Sequence, residues 1–135
     1  MADKKNKNSA PESDTVALLA SLLRDRQLTL STAESCTGGY ISHRLVLPSG
    51  ASDYYKGSII AYSNQVKAEQ LDVALSTLDA YGAVSKEVAE QMAKGVADKL
   101  KTDCSIAVSG IMGPNGGTPE KPVGTVWIAT SFRGH

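Results

Sequence analysis

Apolar residues at Val16, Leu19, Ala20, Leu22 and Leu23 share one face at helical spacing, so residues 14–26 are predicted as a helix, with Ser13 or Asp14 placed to cap it. The period shortens to two over residues 28–33, which alternate Leu, Thr, Leu, Ser, Thr, Ala and run into Glu34, Ser35, Cys36, Thr37, Gly38 and Gly39. Ile41, Leu45 and Val46 then resume a helical stripe until Pro48, Ser49 and Gly50 break it. A second strand is predicted over residues 57–62, followed by a helix over 65–71 with Asn64 as its cap. The longest helix starts at Ser85 and carries Val88, Met92, Val96 and Leu100 on one face. Residues 103–109 are almost continuously apolar, as in a strand covered on both sides. A glycine loop over 110–117 leads to a last strand over 123–131, alternating around Val126, Ile128 and Thr130. Strands alternating with helices predict an α/β layered domain.

The chain has 135 residues, which fits one domain with a real core. Residues 1–12 are polar and aperiodic and are expected to form a disordered tail ahead of a domain spanning 13–135. Fourteen basic side chains balance fourteen acidic ones, and no basic run lies outside Lys4, Lys5 and Lys7, which argues against nucleic-acid binding by phosphate neutralisation. The apolar runs are too short to span a bilayer, and the N-terminus lacks the apolar core of a signal peptide. A cytoplasmic location is expected, where Cys36 and Cys104 remain thiols. No metal-ligand spacing appears, and no cofactor is implied.

Three segments carry candidate chemistry. Residues 35–39 join a strand end to a helix start, where Ser35 is placed as a nucleophile and the N–H groups at Thr37, Gly38 and Gly39 as donors to an anion or oxyanion. The plain alternative is an ordinary turn with Ser35 or Thr37 as a helix cap. Lys67, three residues past Asn64, sits in a first helical turn. The helix dipole and partial burial there lower an ammonium pKa toward that of a general base. A solvated surface lysine is the alternative. The third segment, Ser109 and Gly110 through Gly113, Gly116 and Gly117, offers a nest of backbone donors for phosphate or carboxylate, or else a flexible connection. Cys36 is an alternative nucleophile, a triad would need His43 or His135 brought back in space, and Glu34 and Asp53 are candidates to position a ligand, with no distinctive partner in sequence.

Taken together, the segments at 32–39, at Tyr62, Ser63, Asn64 and Lys67, at 82–85, at 109–114 and at 121–127 resemble the CinA C-terminal domain family, over about 16–130. The resemblance implies a three-layer α/β/α sandwich around a mixed, mostly parallel sheet. It also implies amidohydrolase activity that converts nicotinamide mononucleotide and water to nicotinate mononucleotide and ammonia. By it, Ser35 is the nucleophile and Lys67 its base, with Ser52 and Tyr62 as supporting polar groups. The substrate contacts would come from Thr37, Gly38, Gly39, Asn64, Ser109, Gly110, Gly113, Gly116 and Gly117. The expected partner is this small nucleotide, with no nucleic acid or membrane, and the chain is expected to form a homo-oligomer such as a dimer. Two departures stand out: Asn115 occupies a position where the family usually has aspartate, and the sequence stops at His135, before the family's closing strand and helix and the arginine they carry. The competing expectation is therefore a non-catalytic nucleotide-binding or partner domain.

Overall fold

The computed structural model describes residues 12–135. The tail expected over residues 1–12 thus lies outside the described residues, except for Glu12, which opens the first helix. In chain order the elements are α1 (Glu12–Asp25), β1 (Leu30–Glu34), α2 (Tyr40–Leu45), a 3-10 turn (Ala51–Asp53), β2 (Tyr55–Ile60), α3 (Asn64–Leu71), α4 (Leu75–Tyr81), α5 (Lys86–Leu100), β3 (Cys104–Gly110) and β4 (Val126–Phe132). The strands form one sheet in the order β2-β1-β3-β4. β1 runs parallel to both β2 and β3, whereas β4 returns antiparallel to β3.

Alternation along the strands sends side chains to two covered faces. Ala33 and Ala107 point to one side and pack with Leu71, Leu78, Val88, Met92 and Val96 from α3, α4 and α5. Leu30 and, beside it, Cys104 and Ile106 point to the other and meet Ala20, Leu23, Ile41 and Leu45 from α1 and α2. The sheet is thus the middle layer of an α/β/α domain. All five residues of β1 are buried, as the central strand of such a sheet requires. α5 approaches α3 so closely that a Cβ on Gly95 would lie 1.9 Å from the Leu71 carbonyl oxygen, so only glycine fits there.

The sequence pattern and the structure differ in several places. β2 runs over Tyr55–Ile60, two residues earlier than the 57–62 predicted, so Tyr62 lies beyond the strand. α4 has no long stripe to announce it, since Leu78 is buried but Leu75 is exposed. The cap of α3 is Ser63, whose hydroxyl accepts from the Val66 amide at 3.2 Å, and Asn64 is the first helical residue rather than the cap. The last strand begins at Val126, because the Gly124 amide donates to Ile111 and the Thr125 amide to Pro122, which hold the preceding residues in a turn.

Strand order places the chemistry. The chain leaving β1 turns into α2 on one face, and the chain leaving the adjacent β2 turns into α3 on the other. A cleft opens at the carboxyl ends of strands whose connections diverge in this way.

Candidate active site

Ser35 follows the last residue of β1, with its amide donating to the Val108 carbonyl at 3.1 Å. The chain then folds back, the Gly38 amide donating to the Ser35 carbonyl, and Gly38 and Gly39 adopt φ of 59° and 107°, a left-handed conformation that glycine alone accepts without cost. Lys67 enters from α3. Its amine nitrogen lies 2.9 Å from Ser35 Oγ, 2.9 Å from the Ala61 carbonyl oxygen and 3.1 Å from that of Tyr62. Ser35 is 7% exposed and Lys67 1%. Burial therefore pushes the Lys67 pKa below its ordinary value, only partly offset by the nearby Cys36 thiol.

Glu34 is fully buried beside Ser35. Its Oε1 accepts from Thr37 Oγ1 at 2.7 Å, the Ile41 amide at 2.9 Å and the Gly39 amide at 3.2 Å. Its Oε2 accepts from the Ser42 amide at 2.9 Å and from the Ser42 hydroxyl. Desolvation alone would raise its pKa. The hydroxyls of Ser42 and Thr37 and the amides of Ser42 and Ile41 outweigh that and hold the carboxyl below its ordinary value.

This network alters the expected anion site. The donors at the head of α2 are already occupied by Glu34, and the Gly38 amide is bonded within the turn. Gly38 and Gly39 therefore shape the turn, and their amides are not free for a ligand. The Thr37 hydroxyl is likewise committed to Glu34. The Cys36 and Thr37 amides are directed at the Cys36 sulfur and donate to no protein oxygen.

A cavity of about 300 Å³ opens over Ser35 and Lys67. Tyr62, Ser109, Gly110, Gly113 and Asn115 line it, together with Cys36, Ala83, Val84 and Met112. Ser109 is buried there and its hydroxyl donates to the Ala83 carbonyl at 2.8 Å, which joins β3 to the entry of α5. Gly116 and Gly117 line an adjoining, more open hollow with Pro114 and Asn115. Asn64 is exposed and lines neither.

Ser52 is the clearest correction. It lies in the 3-10 turn before β2, whose first residue pairs with the first residue of β1, so it sits at the opposite end of the strands from Ser35. Five strand residues separate the two ends, roughly 17 Å. Asp53 in the same turn pairs with Arg24 at 3.3 Å and ties α1 to that end of the sheet. His43 is exposed on α2, and His135 lines a hollow under α1 beside the start of β3, so neither forms a triad with Ser35. Burial pushes the Cys36 thiol above its ordinary pKa, and the Lys67 amine is bonded to Ser35 instead. Among the described residues, no three His, Cys, Asp or Glu side chains group to hold a metal, and no helix is long and apolar enough to cross a membrane.

The family model of the CinA C-terminal domain matches residues 12–135. A CinA-like protein of Dictyoglomus thermophilum is 49% identical over 123 residues, covering 91% of this chain and 30% of its own length. A putative competence-damage inducible protein of Clostridium kluyveri is 50% identical over 117 residues, covering 87% of this chain and 28% of its own. The chain thus spans under a third of the length of these relatives. Among solved structures, a competence-damaged protein (CinA) superfamily protein from Enterobacter cloacae superposes with a TM-score of 0.91 at 36% identity, covering 100% of this chain and 80% of that one. The competence/damage inducible protein CihA from Agrobacterium tumefaciens gives 0.89 at 38% identity, covering 93% and 76%.

Proposed function

Because the chain belongs to the CinA C-terminal domain family, we propose that its cleft hydrolyses a carboxamide by a serine–lysine mechanism, with nicotinamide mononucleotide as the substrate. The observation that carries this reading is the placement of the Lys67 amine. Two of its neighbours, the Ala61 and Tyr62 carbonyls, accept N–H groups and offer nothing else. A neutral amine has two hydrogens and one lone pair. With both hydrogens directed at the carbonyls, the lone pair is left for the Ser35 hydroxyl at 2.9 Å. Burial favours that neutral form, and no metal is needed to activate the serine.

In the proposed reaction Ser35 Oγ attacks the carboxamide carbon as its proton passes to Lys67. The oxyanion of the tetrahedral intermediate is assigned to the Cys36 and Thr37 amides, which Glu34 does not engage and which exchange the Cys36 sulfur for the oxyanion. Lys67 returns the proton to the departing nitrogen, the C–N bond breaks and ammonia leaves an acyl-serine. Water then gives a proton to Lys67 and attacks the ester carbon. Ser35 leaves with that proton, and the carboxylate product is released. The phosphate is assigned to the 112–117 loop, where the amides of Asn115, Gly116 and Gly117 meet no acceptor among the described residues. Tyr62, at the mouth and 76% exposed, is assigned to the substrate's ring side.

The test is ammonia release from nicotinamide mononucleotide, compared with Ser35→Ala. Release by the parent chain and its loss in the variant are expected. Ligand binding without ammonia release from the parent chain would make the cleft a binding module, and the hydrolytic reading would fall.

A further inference from the structure

We infer that Glu34 is the positioning residue for the nucleophile: its carboxylate straddles Ser35 and sets the place of Ser35 Oγ against the Lys67 amine. The inference rests on the serine–lysine reading of the cleft. Glu34 precedes Ser35, and the donors that reach its carboxylate belong mainly to Thr37, Gly39, Ile41 and Ser42, on the far side of the nucleophile. One side chain therefore closes residues 34–42 into a ring of which the Ser35 peptide is a part. Apart from it, the Ser35 backbone is held by one bond to Val108 and one from Gly38.

Among the described residues no cation pairs with this carboxylate, so ion pairing does not explain a buried acid here. Its acceptor capacity does. Two amides and a hydroxyl converge on one oxygen, and an amide and two hydroxyls on the other, that of Thr32 at 3.5 Å, which a carboxylate accommodates and a carboxamide cannot, because the NH2 group of glutamine would face donors. Glu34 also makes no contact with the Lys67 amine, whose partners are Ser35, Ala61 and Tyr62. It therefore acts on where the serine is, and leaves the proton affinity of the base alone. A displacement of about 1 Å at a reacting group costs on the order of 10²-fold in rate.

The decisive variant is Glu34→Gln, measured at a temperature where circular dichroism shows it folded. Two readouts are taken: labelling of Ser35 by a fluorophosphonate, which needs an activated serine but no particular substrate, and kcat and KM for ammonia release across pH. Labelling and kcat are expected to fall about 10²-fold, with KM nearly unchanged and the pH midpoint of the rate where it is in the parent chain. Glu34→Asp, which keeps the charge but is one methylene shorter, is expected between the two. Parental labelling by folded Glu34→Gln overturns the inference, because a purely structural role lowers melting temperature without touching the folded site. A rate loss that comes with a moved pH midpoint overturns it as well, since Glu34 would then act on the charge of Lys67. If Glu34→Gln does not fold, Thr37→Val, which removes the 2.7 Å donor and keeps the carboxylate, takes its place, with a several-fold loss of labelling supporting the inference and parental labelling overturning it. A parent chain that labels at Ser35 yet releases no ammonia from nicotinamide mononucleotide refutes the substrate reading and leaves this inference standing. A parent chain that does not label removes both.

Discussion

Two glycine-bearing connections meet at the same edge of the sheet, and they are built in opposite ways. The turn after β1 is closed: Glu34 takes the amides of Gly39, Ile41 and Ser42, Gly38 bonds back to Ser35, and the Ser35 hydroxyl is bonded to the Lys67 amine. The connection after β3 is open: Met112 and most of residues 113–120 are exposed, and Asn115, Gly116 and Gly117 present amides that no protein group accepts. Glycine content alone does not distinguish a rigid catalytic turn from a ligand loop. The presence of a buried acceptor does. In the first connection the donors are spent on holding geometry, and in the second they remain available to a ligand.

The largest expected effect breaks the closed side. Ser35→Ala should lower ammonia release by at least about 10³-fold while costing at most about 1–2 kcal/mol of stability, and Cys36→Ala should retain most of the activity. A dead Cys36→Ala beside an active Ser35→Ala would reverse the nucleophile assignment.

Lys67→Arg should be nearly as damaging, because a guanidinium keeps its proton and cannot accept one from Ser35. In the parent chain the rate should rise with pH through the lowered pKa of Lys67 and then level off, since the protonated form is the inactive one. Stability carries the same sign. Between the lowered folded value and the ordinary 10.5, the unfolded chain holds a proton that the folded chain lacks, so folding should strengthen as pH rises through that window. Urea melts of the parent chain against Lys67→Met over this range would reveal it, and a difference independent of pH would show Lys67 charged in the fold.

One substitution made on both sides sharpens the contrast. Gly38 and Gly116 have φ of 59° and 93°, and a Cβ on either meets nothing closer than 3.8 Å, so alanine adds backbone strain and no collision. That strain is roughly 1–2 kcal/mol in each. Gly38→Ala should lower kcat about tenfold with KM little changed, whereas Gly116→Ala should raise KM several-fold with kcat kept. The same kinetic signature in both variants would dissolve the distinction between the two connections. The smallest effect belongs to Ser52→Ala, at the far end of β2, where kinetics within about twofold of the parent are expected. A large loss would mean that Ser52 reaches a site in another copy of the chain.

Local pattern was enough to read Ser35 and Lys67 as candidates, since each follows a strand end and opens or enters a helix, and backbone geometry there depends on neighbours in sequence. Alternation of strands and helices likewise announced the layered α/β arrangement. Glu34 was invisible as a structural anchor because nothing near it in sequence separates a buried acceptor of six donors from an exposed acid. Its burial follows from the central place of β1, which is a property of strand order. Ser52 owed its supporting role to the resemblance alone; it precedes β2 and Tyr62 follows it, and a strand carries its two ends to opposite edges of the sheet. The cap of α3 was displaced by one residue, from Asn64 to Ser63, because both are good caps and backbone angles decide between them.

The sequence by itself determined most of the elements, α4 excepted, and the residue types available for chemistry, because hydrophobic period, capping and glycine placement act over a few residues. Only the tertiary structure decided the chemistry of those residues. Ser35 and Lys67 lie 32 residues apart and meet because β1 and β2 are parallel neighbours whose connections diverge to opposite faces. That meeting buries the amine and lowers its affinity for a proton, and no local pattern encodes a solvent exclusion that separate segments create together.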